Sequence, residues 1–313
     1  MVRRLVLASP RGYCAGVERA VETVERALAL HGPPVYVRKQ IVHNAHVVRD
    51  LEQRGAVFVE SEDEAPSGAL LVLSAHGVSP AVRRRAAERR LRTVDATCPL
   101  VAKVHAEARR YAGEGYSVLL VGHAGHEEVE GTLGEAPDAT TLVQTLADAE
   151  RVSVADPSRV AYVTQTTLSV DETAEIVATL RRRFPAIEGP GEGDICYATT
   201  NRQRAVKQLA AEVDVLLVIG SENSSNSKRL VETARAAGVD AHLIEDESAI
   251  DERWLADAET VGLTSGASAP ERLVARVCEW FRDRGVHEIR AAGAVVVEDV
   301  FFRLPVEVRV PAA

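Results

Sequence analysis

Residues 215–234 read VLLVIGSENSSNSKRLVETA: an uncharged apolar run, a loop of glycine, serine and asparagine, then an amphipathic helical stretch. Valine and isoleucine suit a buried pleated surface, while Leu230, Val231 and Ala234 recur at helical spacing. The same order is found outward along the chain. It appears in LVLASPRGYCAGVERAVETV from Leu5, LLVLSAHGVSPAVRRRA from Leu70 and SVLLVGHAGHEEVEGTL from Ser117. It appears again in RVAYVTQTTLSVDETAEIVATL from Arg159 and VGLTSGASAPERLVARV from Val261. Strand, loop and helix in succession predict βα units, hence an α/β fold with parallel sheets. Ligands of such sheets bind beyond the carboxyl ends of the strands. Each polar loop just quoted falls at that end, and the chemistry is expected there.

A chain of 313 residues has room for two or three modules. Aromatic residues are only 4%, so Val, Leu, Ala and Ile must build the core, as buried parallel strands under Ala-rich helices would. The opening MVRRLVLASPRGYC holds too short an apolar stretch for a secretory signal, and no stretch is long enough to span a bilayer. A cytoplasmic protein without membrane contact is expected. The net charge of −9 leaves no basic excess to displace phosphate counterions, which argues against nucleic acid as a partner. The locally basic run Arg83–Arg92 reads as the solvated face of a helix.

Of the four cysteines, Cys14, Cys98 and Cys196 lie at loop-to-helix junctions beside Gly, Pro or Thr. A helix N-terminus there would stabilise a thiolate. Cys278, in ERLVARVCEWF, sits on a helical apolar face and reads as core. The intervals between the first three each approximate one small α/β module. The modules therefore read as 1–96 with Cys14, 97–194 with Cys98 and 195–281 with Cys196. Seams are expected near Arg92–Thr97 and in Phe184–Asp194. The tail 282–313, extended in AVVVEDVFFRLPVEVRV, is expected to pack back on the first module. Three thiols so placed are open to three readings: independent core cysteines, a zinc site or an iron–sulfur site. On spacing alone the first is the commoner outcome.

His43, His76 and His126 lie on strand-end loops and form a candidate set for holding a polyanion. His46, His105, His123 and His242 read as structural. SENSSNSK from Ser221, TSGASAPE from Thr264 and TQTTLS from Thr164 offer hydroxyl, amide and backbone N–H donors suited to phosphate. Capping alone needs only one such residue per helix. Glu128, two residues after His126 on a loop, is the carboxylate best placed for proton transfer, with the Thr166 hydroxyl as a possible relay. A nicotinamide enzyme is disfavoured because neither G-x-G-x-x-G nor a P-loop follows any strand. A zinc- or cluster-stabilised module that binds a phosphorylated ligand without turnover is the rival of a different class.

Taken together, PRGYCAGVERA, VHN, SAHGVS, DATCPLV, GHEEVEGT, TQTTLS, CYATTNRQ, GSENSSNS and SGASAPE closely resemble the 4-hydroxy-3-methylbut-2-enyl diphosphate reductase family. The resemblance runs from Cys14 to about Pro270. It implies a trefoil of three α/β modules around a central [4Fe–4S] cluster held by Cys14, Cys98 and Cys196, with an open iron for the substrate oxygen. It implies reductive dehydroxylation of that diphosphate to isopentenyl and dimethylallyl diphosphate, the last step of the methylerythritol phosphate route to isoprenoids. Two electrons would come from a ferredoxin- or flavodoxin-type donor. His43, His76, Ser224, Ser225, Asn226 and Ser268 match the family's diphosphate pocket. His126, Glu128 and Thr166 match its substrate-hydroxyl and proton-delivery positions. The tail after Arg282 carries no motif.

Overall fold

In the computed structural model, which describes residues 2–191 and 193–309, each of the six quoted runs is a strand followed by a helix. The strands, in chain order, are β1 (Arg4–Leu7), β2 (Val35–Arg38), β3 (Ala56–Val59), β4 (Leu70–Leu73), β5 (Arg92–Asp95) and β6 (Ser117–Val121). They continue with β7 (Thr140–Val143), β8 (Val160–Thr164), β9 (Val215–Ile219), β10 (Asp240–Ile244), β11 (Thr260–Ser265) and β12 (Glu288–Ala291). They form three sheets, ordered β10-β9-β11-β1-β12, β3-β2-β4-β5 and β7-β6-β8. Every pairing between these strands is parallel. The expected mixed α/β class with parallel sheets is therefore what the chain adopts. No helix among the described residues is long and apolar enough to cross a membrane.

The chain divides into two compact units, one of residues 2–15, 43–47 and 197–301, the other of residues 16–42, 48–196 and 302–309. In the first, alternation along each strand feeds two apolar layers. Leu5, Leu217, Ile219 and Leu263 pack with Leu273, Val277 and Phe281 of the helix Glu271–Arg282. Val6, Leu216 and Val218 pack with Val206 and Leu209 of the helix Tyr197–Ala210 and with Leu230 of the helix Ser225–Ala236. Cys278 lies in the first of these layers, with its thiol pushed up by burial, and is a core residue as expected. Truncating a fully buried side chain such as Phe281 to Ala should cost about 3–5 kcal/mol.

In the second unit the three-stranded sheet is likewise covered on both faces. Leu119, Val121 and Tyr162 meet Ile176 and Leu180 of the helix Val170–Arg183. Val118, Leu120 and Val163 meet Val104, Ala108 and Tyr111 of the helix Pro99–Gly113. The four-stranded sheet buries Leu71 and Leu73 against Val59, Val78 and Ala86.

One expectation about the fold needs correction. The Arg83–Arg92 run is not one helix face: its helix, Pro80–Glu88, ends ahead of a turn in which Arg90 has φ +56°, and Arg92 opens β5. β5 ends at Asp95 and pairs with β4. β2–β5 fall within 1–96, β6–β8 within 97–194 and β9–β11 within 195–281. β1 lies between β11 and β12, in the sheet built mainly from residues 215–265, while the rest of the first hundred residues supplies the four-stranded sheet. The tail meets the end of the first strand, where Ala292 donates to the Leu7 carbonyl at 2.8 Å.

Candidate active site

In the second unit, Cys98 caps the helix Pro99–Gly113 and donates its N–H to the Ala75 carbonyl at 2.9 Å. Arg19 holds the turn before it, giving one N–H to Thr97 O at 3.0 Å and another to Asp95 O at 3.3 Å. Cys196, immediately ahead of the helix Tyr197–Ala210, donates its N–H to Thr166 O at 3.0 Å. The Asp194 carboxylate fixes the same loop by accepting the Thr164 N–H at 3.0 Å.

Thr166 also faces Glu128. Its N–H donates to Oε1 at 2.6 Å and its hydroxyl to Oε2 at 3.0 Å. Glu128 is 2% exposed, and burial pushes its pKa up to about 7 despite the two Thr166 bonds, with the Asp194 charge adding to the rise. A proton is thus held at near-neutral pH on a group that keeps none in water.

Glu128 lies not on a loop, as expected, but in the first turn of the helix Glu127–Leu133, whose cap is His126: Nδ1 accepts the Glu128 N–H at 3.2 Å. That bond requires a lone pair on Nδ1, so in the neutral ring the hydrogen sits on Nε2. His76 is the opposite case. Its Nδ1 lies 3.2 Å from Glu127 Oε2, and a carboxylate only accepts, so Nδ1 carries the hydrogen. Burial lowers both rings to about 4, the Lys39 charge adding to it at His76 and the His76 charge at His126, so both are neutral at pH 7. The two rings stand edge to face, 6.0 Å apart.

In the first unit, Cys14 follows a turn in which Gly12 has φ +71°, a conformation that L side chains rarely adopt, and Cys14 donates its N–H to Ala267 O at 3.3 Å. Ser224 caps the helix Ser225–Ala236, its hydroxyl accepting the Ser227 N–H at 3.3 Å and the Ser227 hydroxyl at 3.0 Å. Asn226 accepts the Ala267 N–H at 2.9 Å and donates to the Thr199 hydroxyl at 3.3 Å. Ser268 donates to the His43 carbonyl at 2.9 Å, and the His43 ring lies 3.4 Å from the Asn223 amide. A Cβ on Gly266 would stand 2.1 Å from the Ser227 hydroxyl, so only glycine lets this loop close on the helix start. Among the candidates, His43, Ser224, Asn226 and Ser268 therefore belong to three neighbouring loops and the helix that opens from one of them, with Ser225 as its first residue.

The histidines expected to be structural have fixed partners. His105 bonds Glu135 at 2.8 Å beneath Gly77 and Gly131, His46 pairs with Asp246 at 3.1 Å, and His242 stacks on Trp254 at 3.9 Å. The His123 N–H donates to Gln165 Oε1 at 3.1 Å. Sequence reasoning passed over Glu127, Asp194 and Arg202. Glu127 looked like one more exposed glutamate beside Glu128. Arg202 carried a readable signal, since it shares a helical face with Ala198, Ala205 and Val206, where a charge is out of place.

Cys14, Cys98 and Cys196 each stand just ahead of a helix, where the positive end of the helix dipole favours the thiolate. Soft thiolate donors suit iron–sulfur clusters or zinc, and a set limited to three leaves one position open on the metal.

The LytB protein family profile matches residues 5–282. A protein named 4-hydroxy-3-methylbut-2-enyl diphosphate reductase from Acidothermus cellulolyticus is 60% identical, over 98% of this chain and 90% of its own. One of the same name from Mycolicibacterium paratuberculosis is 58% identical, over 98% and 92%. The structure of the E-1-hydroxy-2-methyl-but-2-enyl-4-diphosphate reductase from Plasmodium falciparum matches with a TM-score of 0.95 at 39% identity, covering 98% of this chain and 97% of that one. With a family match across most of its length and relatives this similar, the chain belongs to the LytB protein family.

Proposed function

We propose that this chain reductively removes the hydroxyl of 4-hydroxy-3-methylbut-2-enyl diphosphate, giving isopentenyl and dimethylallyl diphosphate, the last step of methylerythritol phosphate isoprenoid biosynthesis. The net change takes up two electrons and two protons and releases water. Cys14, Cys98 and Cys196 would hold a [4Fe–4S] cluster, which when bound supplies the electrons one at a time and a Lewis-acidic position. A ferredoxin- or flavodoxin-type protein delivers them, in the cytoplasm.

The observation that carries this reading is Thr166, which spends its side chain and N–H on Glu128 and its carbonyl on Cys196. A residue that orients a proton-bearing carboxyl thus also fixes a cysteine loop. Glu128, which still carries its proton in part at neutral pH because burial raises its pKa to about 7, is the acid that lets the hydroxyl leave as water, and the Thr166 hydroxyl relays the proton. His126, neutral with its hydrogen on Nε2, donates to the substrate hydroxyl. His43, Ser224, Ser225, Asn226 and Ser268 bind the diphosphate by hydroxyl, amide and helix N-terminal N–H groups. His76 joins them on taking up a proton at Nε2, because Nδ1 is committed to Glu127.

The test is anaerobic purification with iron and acid-labile sulfide quantification, then a reductive assay on 4-hydroxy-3-methylbut-2-enyl diphosphate. Four irons and four sulfides per chain and formation of both products are expected. A colourless zinc protein that binds the diphosphate without turnover would overturn the reading.

A further inference from the structure

Arg202 is fully buried, and its guanidinium is spent on backbone. Nε and Nη2 donate to the Gly12 carbonyl at 3.1 and 2.7 Å, and Nη2 donates to Tyr13 O at 3.2 Å. Nη1 donates to Ala198 O at 3.0 Å. The bonds to Gly12 and Tyr13 fall on the two residues before Cys14, at the turn where Gly12 is left-handed. The counter-charge comes from the tail: Glu298 Oε1 lies 3.0 Å from Nη1 and accepts from the Asn201 amide at 3.0 Å. Desolvating a guanidinium costs much unless it is paired, so Arg202 can stay in the interior as a charged clamp only while Glu298 faces it.

We infer that Arg202 is a positioning residue for Cys14 and that Glu298 is the latch that keeps it charged and in place. This gives the motif-free tail a task, which is to set how firmly the Cys14 loop is held and hence how long iron is retained there. The inference rests on the functional reading above for the identity of the metal, though not for the clamp itself. Lysine at 202 could still pair with Glu298, but a compact ammonium cannot span two successive carbonyls as the planar fork does.

The experiment uses full-length parent, E298Q, R202K and the doubly neutral R202M/E298L chains. The double variant removes the buried charge together with its partner, so what it loses is the donors to the Gly12, Tyr13 and Ala198 carbonyls. Three readings are taken: iron release from the anaerobic holoprotein to a chelator, thermal melting, and peptide-resolved N-ethylmaleimide labelling of the metal-free chain. Iron release should quicken on the order of tenfold in all three variants, because carbonyls or a charge are left without their partners. Cys14 labelling should quicken likewise, with Cys98 and Cys196 unchanged. The decisive reading is site-selective labelling in R202M/E298L, which should quicken at Cys14 alone whether or not the variant melts below the parent. Iron release that returns to the parent rate along with its melting temperature would make the pair merely structural and overturn the inference. Equal acceleration of labelling at all three cysteines, or unchanged labelling at Cys14, would overturn it as well. Should the parent bind no iron and sulfide, the functional reading falls, and the labelling result alone still decides the clamp.

Discussion

In the five-stranded unit, the candidate diphosphate residues satisfy one another: Ser224 with Ser227, Asn226 with Ala267 and Thr199, and Ser268 with the His43 carbonyl. Ser224, Asn226 and Ser268 carry no titrating group. In the other unit, Glu128 is buried, His76 and His126 are half-buried, and all three have displaced pKa values, the carboxyl up to about 7 and the rings down to about 4. Both sets lie on loops or first helical turns beyond the carboxyl ends of parallel strands. The difference is where free energy is held. Neutral side chains held by their neighbours are fixed in place and indifferent to pH, which suits a grip on a substrate group that must not react. Burying ionisable groups stores protonation energy, which suits the group that must give up a proton.

The largest effect should come from the thiols. Cys14→Ser, Cys98→Ser or Cys196→Ser should each abolish the intact cluster and turnover, while Cys278→Ser should leave both, as read by iron and sulfide counts. Loss of the cluster in Cys278→Ser with retention in Cys98→Ser would reverse the ligand assignment. The next effect is on rate. If Glu128 must be protonated, kcat should fall by about tenfold per unit as pH rises beyond its pKa of about 7. A kcat flat to pH 9 would remove Glu128 from the proton-delivery step.

Glu128 should also show in stability. Its folded pKa lies above its unfolded value, so the folded chain binds more protons between about pH 4.5 and 7 and loses stability across that window, then levels off. The penalty approaches about 3 kcal/mol above pH 7. Metal-free Glu128→Gln should therefore gain on the parent in denaturant melts from pH 5 to 8, and a constant difference would refute the shifted pKa. On the other side of the comparison the effects are smaller. Asn226→Ala strands the Ala267 N–H and should cost about 1–3 kcal/mol while raising KM several-fold at nearly constant kcat. His43→Ala should raise KM less and spare stability, because Ser268 bonds the backbone carbonyl rather than the ring. A collapse of kcat at unchanged KM in either variant would move these residues from binding to chemistry.

The six strand–loop–helix runs were legible because β1, β4, β6, β8, β9 and β11 carry apolar runs and end in glycine-, serine- or threonine-rich loops. β3, β5, β7, β10 and β12 were not legible, being short edge strands with exposed or charged positions such as Arg92, Asp95 and Asp240. The placement of β1 beside β11 was also hidden, since nothing local to residues 4–7 specifies a partner some 250 positions away. At the site, the cysteines, the Ser/Asn loops and Glu128 stood out as reactive types at strand ends. Glu127 and Glu298 did not, because their meaning lies in partners at separations of 51 and 96 residues. The neutral state of His76 and His126 came only from burial, which a sequence does not print.

The division of labour is tested most directly by steady-state kinetics of anaerobic, cluster-replete Glu128→Gln. Glutamine keeps the shape and the contact with Thr166 but holds no acidic proton, and the diphosphate contacts lie on other residues. The account requires kcat to fall by roughly a hundredfold to ten-thousandfold, with substrate affinity and iron and sulfide content close to those of the parent. Turnover near the parent rate with the cluster intact would contradict it, and would leave His126 or Thr166 to be tested as the proton source.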